Sequence, residues 1–233
     1  MMRSLLAIEV LAVLVLLSHP ASCEANDWDG VLDQLARRRE AIKSLHHKYA
    51  VSAGSRDAMT KTTTETWELL TEAGRKRVTV SRDVTKRGDA NPAADRPTKL
   101  VSDTEYQWQE MPIGSTLLVV KSKAKPVDEF HALRQLLSQG RARKRNAEDI
   151  AGTPCLVIEC VGGKQGSRYK STFWISQKYG LILKQVTESA DGQRRALMTE
   201  SLEVGKPLDA GMFAYAPPEG ARVVDTLGMN AGK

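Results

Sequence analysis

The chain has 233 residues, 41% of them hydrophobic and 27% charged, with 34 Lys and Arg against 28 Asp and Glu for a formal charge of +6. That composition is globular and leaves room for a sizeable core, which excludes a chain disordered throughout. Setting aside the leader described next, roughly 210 residues remain, the length of one domain.

Residues 1–23 read as a targeting segment. Arg3 gives a positive start, residues 5–17 an apolar run, and Ala21-Ser22-Cys23 or Cys23-Glu24-Ala25 the small residues for cleavage. The run is too short for a bilayer core, which needs about 20 residues, and Glu9 interrupts it. The expectation is export to the periplasm or cell envelope. The alternative is a lipid anchor on Cys23, although Pro20-Ala21-Ser22 lacks the usual Leu before the Cys. An exported basic chain meets anionic lipid rather than nucleic acid. Peripheral membrane contact is therefore open to it, beside the plainer reading of solubility charge.

Residues 28–49 carry Trp28, Val31, Leu32, Leu35, Ile42 and Leu45 at three- and four-residue steps, and predict an amphipathic helix. Asn26, Asp27 or Asp29 can cap its start, and His46 and His47 would end it, where a cation suits the dipole. Strands are expected over residues 49–55, 61–70 and 76–81. Residues 82–97 are rich in Asp, Arg, Pro and Ala without periodicity and read as a loop. Further strands follow at 98–102, 105–110 and 115–122, the last apolar on both faces over residues 117–120.

A second helix is predicted over residues 126–139. Pro126 opens it, Asp128 and Glu129 occupy its first turn, and Gly140 lies just beyond its end. Phe130, Leu133, Leu136 and Leu137 form its apolar stripe. Residues 141–145 (RARKR) are the densest basic run and read as a solvated passage into the next strand, the alternative being a patch that faces a membrane or an acidic partner. Strands at 155–161, 169–175, 181–188 and 194–204 then form a meander, with Asp191-Gly192 a strong hairpin signal. Met212, Phe213 and Tyr215 should pin the end of the chain to the sheet, and residues 227–233 read as a disordered tail. Within the strand at 155–161, Cys155 and Cys160 stand about 16 Å apart. A disulfide needs Cα atoms about 4.4–6.8 Å apart, so the two cannot bond to each other.

The phrases IAGTPCLVIEC (150–160), FWISQKYGLILKQVTESADGQ (173–193) and LDAGMFAYAPPEGARVVD (208–225) carry a resemblance. They resemble, in turn, a strand, a hairpin and the closing segment of the outer-membrane lipoprotein carrier and lipoprotein-sorting family. Ser176 stands where that family usually has Asp, and Ile182 where it usually has Pro. The resemblance covers roughly the last ninety residues well, and the earlier part in element order only. It implies an α+β fold, a curved antiparallel β-sheet forming a half-barrel, covered by two or three helices, over residues 24–226 as a single domain. It also implies an apolar cavity that receives acyl chains or serves as a sensor surface.

No catalytic motif accompanies this pattern. There is no G-x-S-x-G elbow, no H-E-x-x-H and no phosphate-cradling loop. The expectation is a non-enzymatic protein without cofactor or metal, whose partner is a lipid or lipoprotein acyl chain. The alternative is a sensor or regulatory module that engages an envelope protein. Choosing strand faces by apolar content puts Trp67, Leu69, Leu118, Val120, Phe130, Leu133 and Leu137 around the cavity, the last three on a helical lid.

Overall fold

The computed structural model describes residues 28–55, 58–84, 97–125, 129–139, 141–163 and 168–227. The targeting segment and possible anchor at Cys23, most of the loop at 82–97, Pro126 and Asp128 of the second helix, Gly140, and residues 228–233 lie outside them. Among the described residues no helix is long and apolar enough to cross a membrane.

Helix α1 (Trp28–Glu40) leads into β1 (Ser44–Ser55), β2 (Ala58–Thr71), β3 (Gly74–Asp83), β4 (Thr98–Ser102), β5 (Tyr106–Ile113) and β6 (Thr116–Lys123). Helix α2 (His131–Gln139) follows, then β7 (Arg141–Ile150), β8 (Thr153–Gly162), β9 (Tyr169–Ser176), β10 (Ile182–Ser189) and β11 (Arg194–Val204). A short 3-10 helix (Ala210–Phe213) and β12 (Arg222–Asp225) close the described chain. All twelve strands join one open, curved sheet in the order β12-β6-β5-β4-β3-β2-β1-β11-β10-β9-β8-β7. Every pairing is antiparallel except β12 with β6. The expected α+β half-barrel is the observed architecture.

The first helix is shorter than its apolar spacing predicts. It ends at Glu40, and residues 44–49 belong to β1. Ile42 and Leu45 are buried as expected, but in the turn and the strand. His46 and His47 are therefore ladder residues and not a helix terminus. The strand wins because β1 is paired along its length on both sides, with β2 and with β11; short apolar spacing alone does not separate helix from strand. The basic run 141–145 likewise lies within β7, an edge strand paired with β8. Charged side chains on an exposed edge deter pairing with other chains.

Side chains alternate between the two faces of each strand. On one face α1 and α2 sit over β8 and β9. Leu32, Leu35, Phe130 and Leu133 pack there against Leu156, Ile158, Cys160, Phe173 and Ile175. At about 1.5–3 kcal/mol per fully buried large apolar side chain, this cluster anchors both helices. On the opposite face, Val78, Val101 and Phe213 form a smaller core with Trp67, Leu69, Met212 and Tyr215 packed around it. The closing segment is thus pinned to the sheet as its aromatic residues predict. Cys155 and Cys160 are both free and buried.

Candidate functional site

Among the described residues the helices cover only part of their face of the sheet. Beyond β1 that face carries Thr64, Thr66 and Glu68 on β2, placed opposite Ser81, Thr79 and Arg77 on β3. Ser102 and Leu100 continue it on β4, Gln107 and Gln109 on β5, and Val120 and Leu118 on β6. Threonine hydroxyls satisfy one another across the ladder, Thr64 with Ser81 at 3.1 Å and Thr66 with Thr79 at 3.2 Å. Buried hydroxyls need such partners.

At the junction between α1 and this bare region lies a charged cluster. The last turn of α1 is Arg37-Arg38-Arg39, which complements the helix dipole. Arg39 alone of the three turns inward, and it is 8% exposed. Its Nη2 donates to Glu68 Oε2 at 2.5 Å, and its Nε and Nη2 donate to Glu129 Oε1 at 2.9 and 2.7 Å. Arg77 pairs with Glu68 Oε1 and lies 3.5 Å from Glu129. Arg75 Nη1 reaches Glu68 Oε2 at 3.3 Å, while its Nη2 donates to the carbonyl of Glu40. Glu68 is 1% exposed. Burial alone would raise its pKa, but Arg39 and Arg77 bring the carboxyl below its usual range. His47 lies on the same face and its Nε2 meets Thr199 Oγ1 at 2.8 Å. Burial, then Arg39, lowers the His47 pKa to about 4, so the ring is neutral at pH 7.

Beside this cluster opens a cavity of about 650 Å³. Arg39, Arg75, Arg77, Lys125 and Arg134 line it, as do Glu40, Asp103 and Glu129. Ser102, Thr104 and Gln107 add neutral polar groups, and Ala36, Leu100 and Phe130 supply apolar wall. The cavity is therefore a cleft of mixed lining, with charged and apolar side chains side by side.

The seven residues chosen from the sequence do not converge. Phe130 lines the cavity, and is also 2% exposed in the helix core. Leu133 is fully buried in that core and Leu137 packs half-buried against it. Both fasten α2 down. Trp67 and Leu69 lie on the opposite face, where Trp67 stacks on the His46 ring at 4.9 Å between centroids. Leu118 and Val120 are half-buried on the helix-bearing face, two strands from Leu100. Apolar content selects Trp67, and the alternate positions of β2, Thr64, Thr66 and Glu68, are the ones that face the helices. The charged cluster escaped sequence reading altogether. Its members are spread from residue 39 to residue 129, and charge spacing does not show which side chains converge. Among the described residues no group of three His, Cys, Asp or Glu side chains could hold a metal.

No protein-family model matches the sequence, and no curated protein matches it. Solved structures do match in fold. MucB aligns with TM-score 0.54 and 17% identity over 88% of this chain and 67% of that one. The MucB chain of the Pseudomonas aeruginosa MucA/MucB complex aligns with TM-score 0.53 and 17% identity, over 80% and 61%. A putative outer membrane lipoprotein-sorting protein domain from Vibrio parahaemolyticus aligns at 14% identity and TM-score 0.37, over 79% and 94%. At these identities the MucB likeness shows the fold alone. The chain spans about three fifths to two thirds of the MucB chains it matches. The class so defined is an open half-barrel with a helix pair on one face and a charged cleft beside it.

Proposed function

We propose that this is an exported, non-enzymatic envelope protein that binds the acyl chain of a lipid or lipoprotein on the uncovered part of the helix-bearing face. The observation that carries the reading is the run of half-buried apolar side chains leading away from the cleft. Leu100 forms cleft wall, Val120 lies two strands along through Gln109, and Leu118 and Met111 continue the same face. Neighbouring strands stand about 4.8 Å apart, so Leu100 to Val120 is about 10 Å of continuous surface. Covering a chain of about ten CH₂ groups contributes roughly 8 kcal/mol before association costs, at about 0.8 kcal/mol per CH₂. That supports moderate binding without any catalytic group.

A fluorescent fatty acid tests this reading. Saturable binding is expected, weakened at least tenfold in Val120→Glu, because a charge placed on the strip must be desolvated by the chain. Val120 is half-buried, so the substitution is compatible with folding. A probe that fails to bind, or that binds the Val120→Glu protein unchanged, removes the carrier reading. The second reading is then a module that engages an envelope protein, supported by the fold shared with MucB in its complex with MucA. Pull-down from an envelope extract with this chain as bait reports on it.

A further inference from the structure

The charged cleft at the head of the apolar strip is the part of the site that acyl-chain binding leaves unexplained. Its walls hold five cationic side chains against three anionic ones, and Glu68 behind them makes four. Arg134 is paired with Asp33 at 2.9 Å, whereas Arg39, Arg75 and Arg77 share two carboxylates, Glu68 and Glu129, so this inner cluster keeps one positive charge in a recess. Within it, Arg39 keeps one nitrogen unused. Its Nε and Nη2 are engaged by Glu129 and Glu68, while Nη1 is buried and has no hydrogen-bond partner among the described residues. A guanidinium nitrogen left unpaired away from water is costly. Arg39 is nine-tenths buried and also forms cleft wall.

We infer that the cleft binds the phosphate headgroup of an anionic amphiphile whose acyl chain runs over Leu100 and Val120. The inference rests on the acyl-chain reading and adds the ligand's other end. Arg39 and Arg77 form the inner wall. Arg75, half-buried, and Lys125, exposed at the rim, supply the flanking charge. Arginine donors match phosphate oxygens in geometry as well as charge. The network also explains why the recess stays open to an anion. Glu68 and Glu129 hold Arg39 and Arg77 in place, yet do not neutralise the cluster. A neutral headgroup would leave the residual charge unmet.

Three soluble probes separate the parts of this proposal: dioctanoyl phosphatidylglycerol, dioctanoylglycerol with the same chains and no charge, and inorganic phosphate. Calorimetry on the full chain should show the phosphatidylglycerol binding about tenfold more tightly than the uncharged lipid, the ratio that about one net charge-assisted hydrogen bond gives. Lys125→Gln and Arg75→Gln should each bring that ratio toward one. Lys125 is exposed, so its variant retains the fold even if Arg75→Gln does not. Equal affinity for the two lipids overturns the headgroup site while leaving acyl-chain binding intact. Binding of neither lipid overturns the acyl-chain reading itself. Inorganic phosphate that binds as tightly as the phosphatidylglycerol would make this a free oxyanion site and overturn the lipid headgroup as its source.

Discussion

Arg39 at the end of α1 and Glu68 near the end of β2 form an ion pair at 2.5 Å, the acid 1% exposed and the base 8%. Twenty-nine residues separate them in the chain. The pair fixes where the helix ends relative to the sheet, and it forms the back of the charged cleft. Glu68 is also the carboxylate shared by Arg75 and Arg77. Replacing it with Gln keeps the volume and removes the charge, leaving three guanidinium groups close together. Breaking a buried pair from one side costs about 3–5 kcal/mol. We expect Glu68→Gln to lower stability by about 3 kcal/mol or more in urea unfolding. A loss below about 1 kcal/mol would mean that Glu129 alone can hold Arg39.

His47 makes stability depend on pH in a defined direction. Its ring is 7% exposed and bonded to Thr199, with Tyr49, His46, Arg39 and Glu68 as its charged or titratable surroundings. The ordinary value is 6.5, and the folded protein lowers it to about 4, chiefly through burial. Between those two values the unfolded chain binds a proton that the folded chain refuses. Stability is therefore fully present above pH 6.5 and falls as pH drops toward 4. The loss between pH 7 and pH 5 is on the order of 2 kcal/mol from this residue. His47→Gln should flatten that part of the curve while preserving the slope below pH 4, where carboxylates titrate. An unchanged slope between pH 7 and pH 5 would assign the dependence to other groups.

The two cysteines give a chemical reading of the sheet. Cys155 faces Ser176 and Cys160 faces Ser171 across the β8–β9 ladder. Both are fully buried, and burial pushes each thiol up to about 11. A thiol reagent needs thiolate and access, so labelling should follow global unfolding and not the native protein. Cys155 and Cys160 should both be recovered as free thiols after denaturation, told apart from Cys23 by peptide mass mapping. Rapid labelling of either one in the native chain, or a bridge between them, would contradict the strand assignment.

How far the fold could be read from the sequence follows from the range of each interaction. The meander was legible because its strands are joined by tight turns with their own signals. Residues 194–204 coincide with β11, and Asp191-Gly192 stands in the hairpin as expected, with Gly192 at φ +83°. The helix assigned to residues 28–49 overran because Ile42 and Leu45 fit both a helical stripe and a buried strand. Only the pairing with β2 and β11, remote in sequence, decides between them. Likewise β7 has no apolar alternation to announce it, and its partner strand makes it a strand. The site was the least legible part. Choosing inward faces by apolar content selects Trp67, whereas the face under the helices bears Glu68. Glu68 is tolerable there only because Arg39, Arg75 and Arg77 meet it.

The turn 177–180 is where the meander and the cleft are coupled, and Gly180 is the residue that couples them. Its φ is +62°, and its N–H donates to the carbonyl of Ser176 at 2.8 Å. Side-chain-bearing residues in this left-handed region cost about 1–2 kcal/mol. Space is the stronger constraint. A Cβ at Gly180 would lie 2.0 Å from the Leu35 carbonyl oxygen and 3.1 Å from the Arg39 amide nitrogen. These are backbone atoms of α1, so the helix itself would have to move, taking the Arg39 side chain away from Glu68. Gly192 is the natural control. It has φ +83° and nothing within 4 Å of the position a Cβ would take, so Gly192→Ala carries the conformational cost alone. We expect Gly180→Ala to lower stability by at least ~2 kcal/mol more than Gly192→Ala, the scale of a core substitution that forces backbone to shift. The Gly180→Ala protein should also become less sensitive to Glu68→Gln, since a displaced Arg39 has already lost part of that pair. If the two alanine variants are equally stable, or if the effects of Gly180→Ala and Glu68→Gln simply add, α1 does not rest on this turn and the placement of Arg39 has another origin.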